Sequence, residues 1–244
     1  MIALTRLSTD HPAVKLKLHL LEAATPVTRA VVYGDMWVVE GAYTLRCLEL
    51  GCDRVTLIDS FETPDWQRTR IEHPELDFVK GDFADPLFMG SIRPKYDLGV
   101  AYDVLLHQAS LLGALHLMCE RVEQRFVVVQ PMLREGRDPQ QLVYLPGLDA
   151  EVGLHPAGSE TDWMRAIGAV TEVNTLHWLW GMTPSFLRAA LRGEGFEVSA
   201  ERDEEGGFSN PRWTWWGCIA ERVKWPTAHW SEHYRHPGLR SPSD

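Results

Sequence analysis

The chain has 244 residues, of which 45% are hydrophobic and 24% charged, and its formal net charge is -10. That length and balance fit one large α/β domain with a sizeable core, and they exclude disorder as the default state. The acidic balance disfavours nucleic acid and anionic membranes as partners and suits a neutral or cationic small molecule better.

The four cysteines, Cys47, Cys52, Cys119 and Cys218, form no CxxC pair. They read as free, buried thiols in a reducing cytosol rather than a zinc knuckle or redox couple. The N-terminus shows no secretory pattern, and no stretch reaches the roughly 18 apolar residues of a membrane span. A cytoplasmic protein is expected.

Residues 1–11 read as a leader. His11 to Ala24 is expected to form a helix beside a sheet, with Val14, Leu16, Leu18, Leu20 and Leu21 as its apolar positions. A strand–helix rhythm follows. Arg29 to Asp35 is a short β-branched run and the first strand. Glu40 to Gly51 reads as a helix closed by glycine. Arg54 to Asp59 is the second strand, and Asp65 to His73 a polar helix stopped by Pro74. Leu76 to Asp82 and Tyr96 to Asp103 are the third and fourth strands. His107 to Val122 has a continuous helical face. Arg125 to Pro131 is a fifth strand, apolar throughout as when helices cover both faces. This alternation predicts a mostly parallel, doubly wound α/β sheet.

Residues 132–180 break the rhythm and read as an insertion on the substrate side. Thr183 to Gly195 is then a helix with threonine at its N-cap, proline in its first turn and glycine at its end. Phe196 to Arg202 and Arg212 to Val223 are strands joined by a short Gly/Asn loop, which predicts an antiparallel hairpin. On the last strand, Trp213 and Trp215 fall on one face by alternation. Residues 224–244 are an irregular tail. His229, His233 and His236 have helical spacing, but Pro226 and Pro237 bracket them and no metal is assigned. The whole chain, 1–244, is read as a single domain.

Doubly wound sheets bind ligands at the carboxyl ends of their strands. Four features fall there: the loop Asp35 to Ala42, Asp59, Gly81-Asp82-Phe83, and Asp103 to His107. A carboxylate at Asp59 can accept both hydroxyls of a ribose. Asp82 can accept from an adenine amino group, with Phe83 offering a ring edge. A glycine in the first loop allows close backbone approach. A single acid at a strand end is often only a helix cap, but three in successive order favour a bound nucleoside.

In these motifs the chain resembles the class I S-adenosylmethionine-dependent methyltransferases. DMWVVEGAYT aligns with the family's first motif, Asp35 as the strand-end acid and Glu40-Gly41 as the acid–glycine pair. LIDS supplies the second-strand acid Asp59 with Ser60, and VKGDF the adenine contact. YDLGVAYDVLLHQ resembles the fourth-strand motif, with Asp103 in it. WGMTPSFLRAALRGEGFEV resembles the late helix and sixth strand. The resemblance implies a Rossmann-like, seven-stranded sheet with an antiparallel last strand. It also implies S-adenosylmethionine as cofactor and methyl transfer to oxygen or nitrogen of a small molecule. Its cofactor residues would be Asp35, Trp37, Glu40, Gly41, Asp59, Ser60, Asp82, Phe83 and Asp103.

The departure is in the loop, where Trp37 and Val38 replace the usual glycines. Two readings stay open: a loop remodelled around the cofactor, or a domain that has lost it and serves in binding or assembly. A dinucleotide oxidoreductase would need G-x-G-x-x-G after strand one, which is absent.

At the acceptor end, His107, His155 and His177 are candidate bases. His107 is the catalytic candidate, against a solvent-facing role in the first turn of a helix. His155, Trp163, His177 and Trp180 are candidate substrate residues; packing among tryptophans is the structural alternative for His177. The ten tryptophans can line an aromatic pocket or stack on a cation, or bury a homo-oligomer interface.

Overall fold

A computed structural model describes residues 7, 9–36, 39–136, 139–144, 180–206 and 212–225. Trp37, Val38, His155, Trp163, His177 and the three tail histidines lie outside the described residues.

Helix α1 (Pro12–Ala24) starts where the His11 ring accepts from the Ala13 N–H, with Pro12 in the first turn. Strand β1 (Arg29–Tyr33), helix α2 (Ala42–Glu49) and strand β2 (Arg54–Asp59) follow. Helix α3 (Pro64–Glu72) is capped by the Thr63 hydroxyl, which accepts from Trp66 N. Strand β3 (Leu76–Lys80) leads to α4 (Pro86–Ser91), then β4 (Tyr96–Tyr102). The sequence rhythm gave no sign of α4. Its six residues are too short for a period, and only Asp85-Pro86 marks its start, the Asp85 carboxylate accepting from Leu87 N.

The helix expected over residues 107–122 is broken and shorter. Leu105–His107 is a 3-10 turn, and α5 runs over Leu111–Cys119. Gln108 between them is extended, its carbonyl taken by the Trp180 indole N–H at 2.7 Å. His107 therefore closes a tight turn instead of opening a helix. Val122 belongs to β5 (Val122–Leu133), which is longer than expected at both ends.

Strands β6 (Leu142–Tyr144) and β7 (Trp180–Met182) form a separate two-stranded antiparallel ribbon. Helix α6 (Pro184–Gly193) begins after Thr183, as expected, but the threonine hydroxyl does not cap it. It accepts from Gln141 N and donates to Pro139 O. Glu135 takes over the capping role, accepting from Ser185 N at 2.7 Å. Strands β8 (Phe196–Glu204) and β9 (Trp213–Arg222) complete the main sheet as an antiparallel pair.

The main sheet has seven strands in the order β3-β2-β1-β4-β5-β9-β8. β9 runs antiparallel to both its neighbours, and the other pairings are parallel. This is the Rossmann-like doubly wound sheet. Leu16, Leu20 and Leu21 of α1, Tyr43 and Leu45 of α2 and Trp66 of α3 pack on one face. Met89, Leu111, Leu115, Met118, Leu187 and Leu191 of α4 to α6 pack on the other. Trp213 and Trp215 do not share surroundings as simple alternation predicts. Trp215 packs with the α1 layer, while Trp213, at the very start of β9, packs with Trp216 in the opposite layer.

Candidate functional site

Strand order reverses between β1 and β4, so the crevice for a ligand opens there. Register fixes what flanks it. Tyr33 pairs with Ala101, so Gly34-Asp35 lies beside Tyr102-Asp103. Tyr33 also pairs with Ile58, and Asp59 with Lys80. The strand-end acids of β1, β2 and β4 thus meet at one edge, with Asp82 just beyond β3.

Asp35 does not face open space. It is buried, and its Oδ2 accepts from the Thr44 N–H and the Thr44 hydroxyl, both at 2.7 Å. Gly41, at the N-cap of α2, has no side chain to cap that helix, so Asp35 caps it from the strand. Burial pushes its carboxyl up to about 7, against the lowering effect of the two Thr44 bonds. Asp59 is similarly enclosed. Its Oδ2 accepts from Met36 N at 2.9 Å and its Oδ1 from Ser60 N at 2.7 Å. Burial raises it to about 6 although backbone N–H groups of Met36, Ser60 and Phe61 favour its charged form.

The loop after β1 is folded back on itself. Gly41 N donates to Asp35 O at 2.7 Å, and Glu40 and Gly41 are both left-handed, with φ of 47° and 77°. A Cβ on Gly41 would lie 2.3 Å from the Trp66 ring. The glycine in this loop therefore admits an indole, where sequence reasoning gave it to a ligand. Trp66 is fully buried and its Nε1 has no partner.

Asp82 is exposed, and its Oδ1 accepts from Ala84 N at 2.8 Å in a tight turn. Phe83 is buried edge-on against Tyr33. Ser60 is exposed beside Asp59. Asp103 follows β4 with φ of 57°, a backbone position that costs energy for a residue with a side chain. Its Oδ2 accepts from Lys17 Nζ at 2.5 Å, and its Oδ1 is buried without a partner among the described residues.

His107 is half-buried three residues past Val104, and Trp180 reaches the same turn through Gln108. Trp180 also packs on Tyr144, ring centroids 5.1 Å apart. The β6–β7 ribbon thus brings two of the sequence-selected residues, His107 and Trp180, to one side of the β4 end.

Sequence reasoning missed Lys17, Tyr43, Tyr102, Gln130 and Trp215. Lys17 is the one charged residue among the buried positions Ala13, Leu16, Lys17, Leu20, Leu21 and Ala24 of α1. A cation on the apolar stripe of a helix is a readable signal, because lysine is almost never buried without a purpose. Gln130, on β5, is fully buried, and neither end of its amide has a partner among the described residues. Nothing in the run RFVVVQP marked it out beyond being polar. The four cysteines are free and buried as expected. Among the described residues no cluster could hold a metal ion, and no helix is long and apolar enough to cross a membrane.

No protein-family model matches this sequence, and no curated protein matches it. Solved structures do. The chain is similar to the Burkholderia thailandensis 1,6-didemethyltoxoflavin-N1-methyltransferase with bound 1,6-didemethyltoxoflavin and S-adenosylhomocysteine. The TM-score is 0.60 at 16% identity, over 88% of this chain and 80% of that one. The [4+2]-cyclase SpnF matches with a TM-score of 0.58 at 13% identity, over 84% and 79%. Magnesium protoporphyrin IX methyltransferase from Synechocystis PCC 6803, with bound S-adenosylhomocysteine, matches at 0.52 and 14%, over 86% and 81%. The chain has the fold of the class I S-adenosylmethionine-dependent methyltransferases. At these identities the likeness is one of fold, and the cyclase among them shows that the fold hosts other chemistry.

Proposed function

We propose that the chain is an S-adenosylmethionine-dependent methyltransferase acting on oxygen or nitrogen of a small molecule. The observation that carries this reading is Asp103. It is held in a strained conformation at the switch point of this fold, with one oxygen on Lys17 and the other buried and unused. Buried acceptors without donors are costly and point to a group that binds there.

In this reading each part of the cofactor has its own residues. Asp82 and the edge of Phe83 suit the adenine. Ser60 and the remaining lone pairs of Asp59 suit the ribose. Glu40, Gly41 and the segment through Trp37 would lie along the methionine end, with Asp35 supporting the loop from within. The cofactor supplies an electrophilic methyl group on a sulfonium. The residues of this chain then bind and orient the acceptor, exclude water and take its proton. His107 is the base in this reading, with Trp180, His155, Trp163 and His177 on the acceptor side. The acceptor itself is neutral or cationic, in keeping with the net charge of -10.

A second reading has its own observation. Both oxygens of Asp59 are engaged by the backbone, Met36 is fully buried, and Trp66 fills the space over Gly41. A first loop closed in this way suits a methyltransferase-like domain that binds or assembles without catalysis.

Calorimetric titration with S-adenosylmethionine and S-adenosylhomocysteine separates the two. The enzyme reading expects saturable heat from both. No heat and no thermal stabilisation at millimolar ligand would leave the second. His107→Ala is expected to lower turnover while cofactor affinity holds, and full turnover would remove the base role.

A further inference from the structure

The head of Lys17 stands among three aromatic rings. Its Nζ is 5.4 Å from the centroid of Tyr43, 5.6 Å from Tyr102 and 5.7 Å from Trp215. The rings come from α2, β4 and β9, and the Asp103 carboxylate closes the group at 2.5 Å. Tyr43 and Tyr102 meet edge to face at 4.9 Å, and the Tyr102 hydroxyl donates to the Lys17 carbonyl at 2.9 Å. Aromatic faces carry negative potential, so rings converging on one point with a carboxylate select a cation.

We propose that Tyr43, Tyr102, Trp215 and Asp103 form a binding site for an alkylated ammonium ligand, and that Lys17 is a resident plug which this ligand displaces. Two observations show that lysine does not complete the site. Asp103 Oδ1 and the Tyr43 hydroxyl are both buried without partners among the described residues. The three ring distances also lie at the outer part of the cation–π range. At that spacing the ammonium head is not in close contact with the ring faces, whereas methyl groups on a nitrogen extend toward them.

The exchange is electrostatically even. One cation enters as another leaves, so Asp103, whose side chain is 32% exposed, keeps a cationic partner throughout. An anion has no such route, because Asp35, Asp59 and Asp103 all lie at this edge. The Lys17 side chain is 9% exposed, and the displacement requires its head to swing out on its flexible stem, with α1 left in place. The proposal shares Asp103 with the cofactor reading above but does not depend on methyl transfer, since a binding domain of this fold would carry the same site.

The test is titration with tetramethylammonium chloride, read as the thermal midpoint, against sodium chloride at equal ionic strength and against neutral tert-butanol. Wild-type protein should be stabilised saturably by tetramethylammonium alone. Lys17→Ala, which vacates the site and keeps a good helix former, should bind it about tenfold more tightly. Asp103→Asn, which tolerates the left-handed backbone, should weaken binding to a similar degree. Should Lys17→Ala not fold, Lys17→Met removes the charge with the stem kept, and tighter binding is again expected. The proposal fails if wild type shows no saturable effect, if tert-butanol does as well, or if neither Lys17 variant binds more tightly. None of these readouts involves S-adenosylmethionine, so failure here leaves the cofactor titration to speak for itself.

Discussion

Trp66 rests directly on the α-carbon of Gly41, so closely that a Cβ there would lie 2.3 Å from the indole. The N-cap of α2 and the first turn of α3 are locked together at that point. Gly41 also has φ of 77°, so it is constrained twice. Gly41→Ala is therefore expected to lose about 2–4 kcal/mol of stability, from left-handed backbone strain and overpacking together. In a Trp66→Leu background the clash is gone, and the same change should cost only about 1–2 kcal/mol. Urea denaturation of the four proteins measures this. Equal costs in both backgrounds would mean that Trp66 and Gly41 are not coupled.

The buried acids predict a pH dependence. Burial holds Asp35 at about 7 and Asp59 at about 6, above their ordinary value of 3.8. A carboxyl with a raised folded-state pKa binds extra protons in the native state. Its contribution is full below the unfolded value and is lost as pH rises through the folded one. Stability should thus fall between about pH 4 and pH 7 and then level off. Asp35→Asn removes one ionisation yet keeps an oxygen for Thr44. The difference in stability between wild type and this variant should shrink by up to about 4 kcal/mol across that window. A difference that stays constant with pH would show that Asp35 ionises as an ordinary surface acid.

Much of this arrangement was legible in the sequence, and for physical reasons. The β-branched runs and glycine stops located the parallel strands, and strand ends put Asp35, Asp59 and Asp103 at one edge. What the sequence did not show is where each carboxylate points. Asp35 turns inward to Thr44 and Asp59 to Met36, because the unsatisfied N–H groups nearest them belong to the first turn of α2 and to the loop after β1. His107 moved from a helix start to the end of a 3-10 turn because Trp180, 72 residues away, takes the Gln108 carbonyl. A contact that distant leaves no local pattern. Lys17 was hidden in another way: its helix was read from its leucines, and the charge among them was passed over.

The cofactor reading makes Asp82 and Asp59 behave differently. Asp82 is exposed and holds only a tight turn. Asp82→Ala should weaken S-adenosylhomocysteine binding by about 1.5 kcal/mol, roughly tenfold, while stability changes by less than about 0.5 kcal/mol. Asp59→Ala strips a partner from Met36 N and Ser60 N, so it should lower affinity and also cost about 1–3 kcal/mol of stability. Calorimetry paired with denaturation distinguishes them. If Asp82→Ala leaves affinity unchanged, the adenine lies elsewhere.

Gln130 offers the sharpest separation of stability from function. Its amide is fully buried on β5, opposite Trp216 of β9, and neither its oxygen nor its nitrogen has a partner among the described residues. A buried amide left unsatisfied is destabilising by about 1–3 kcal/mol, whereas methionine fills a similar length without polar atoms. Gln130→Met should therefore stabilise the folded chain by about 1–2 kcal/mol in urea denaturation. The same substitution should reduce acceptor-dependent turnover, because an orphaned amide that costs stability is what a ligand site leaves behind when its ligand is away. Loss of stability would show instead that the amide is already satisfied within the fold. A gain in stability with turnover intact would make Gln130 a defect of the core and remove it from the site.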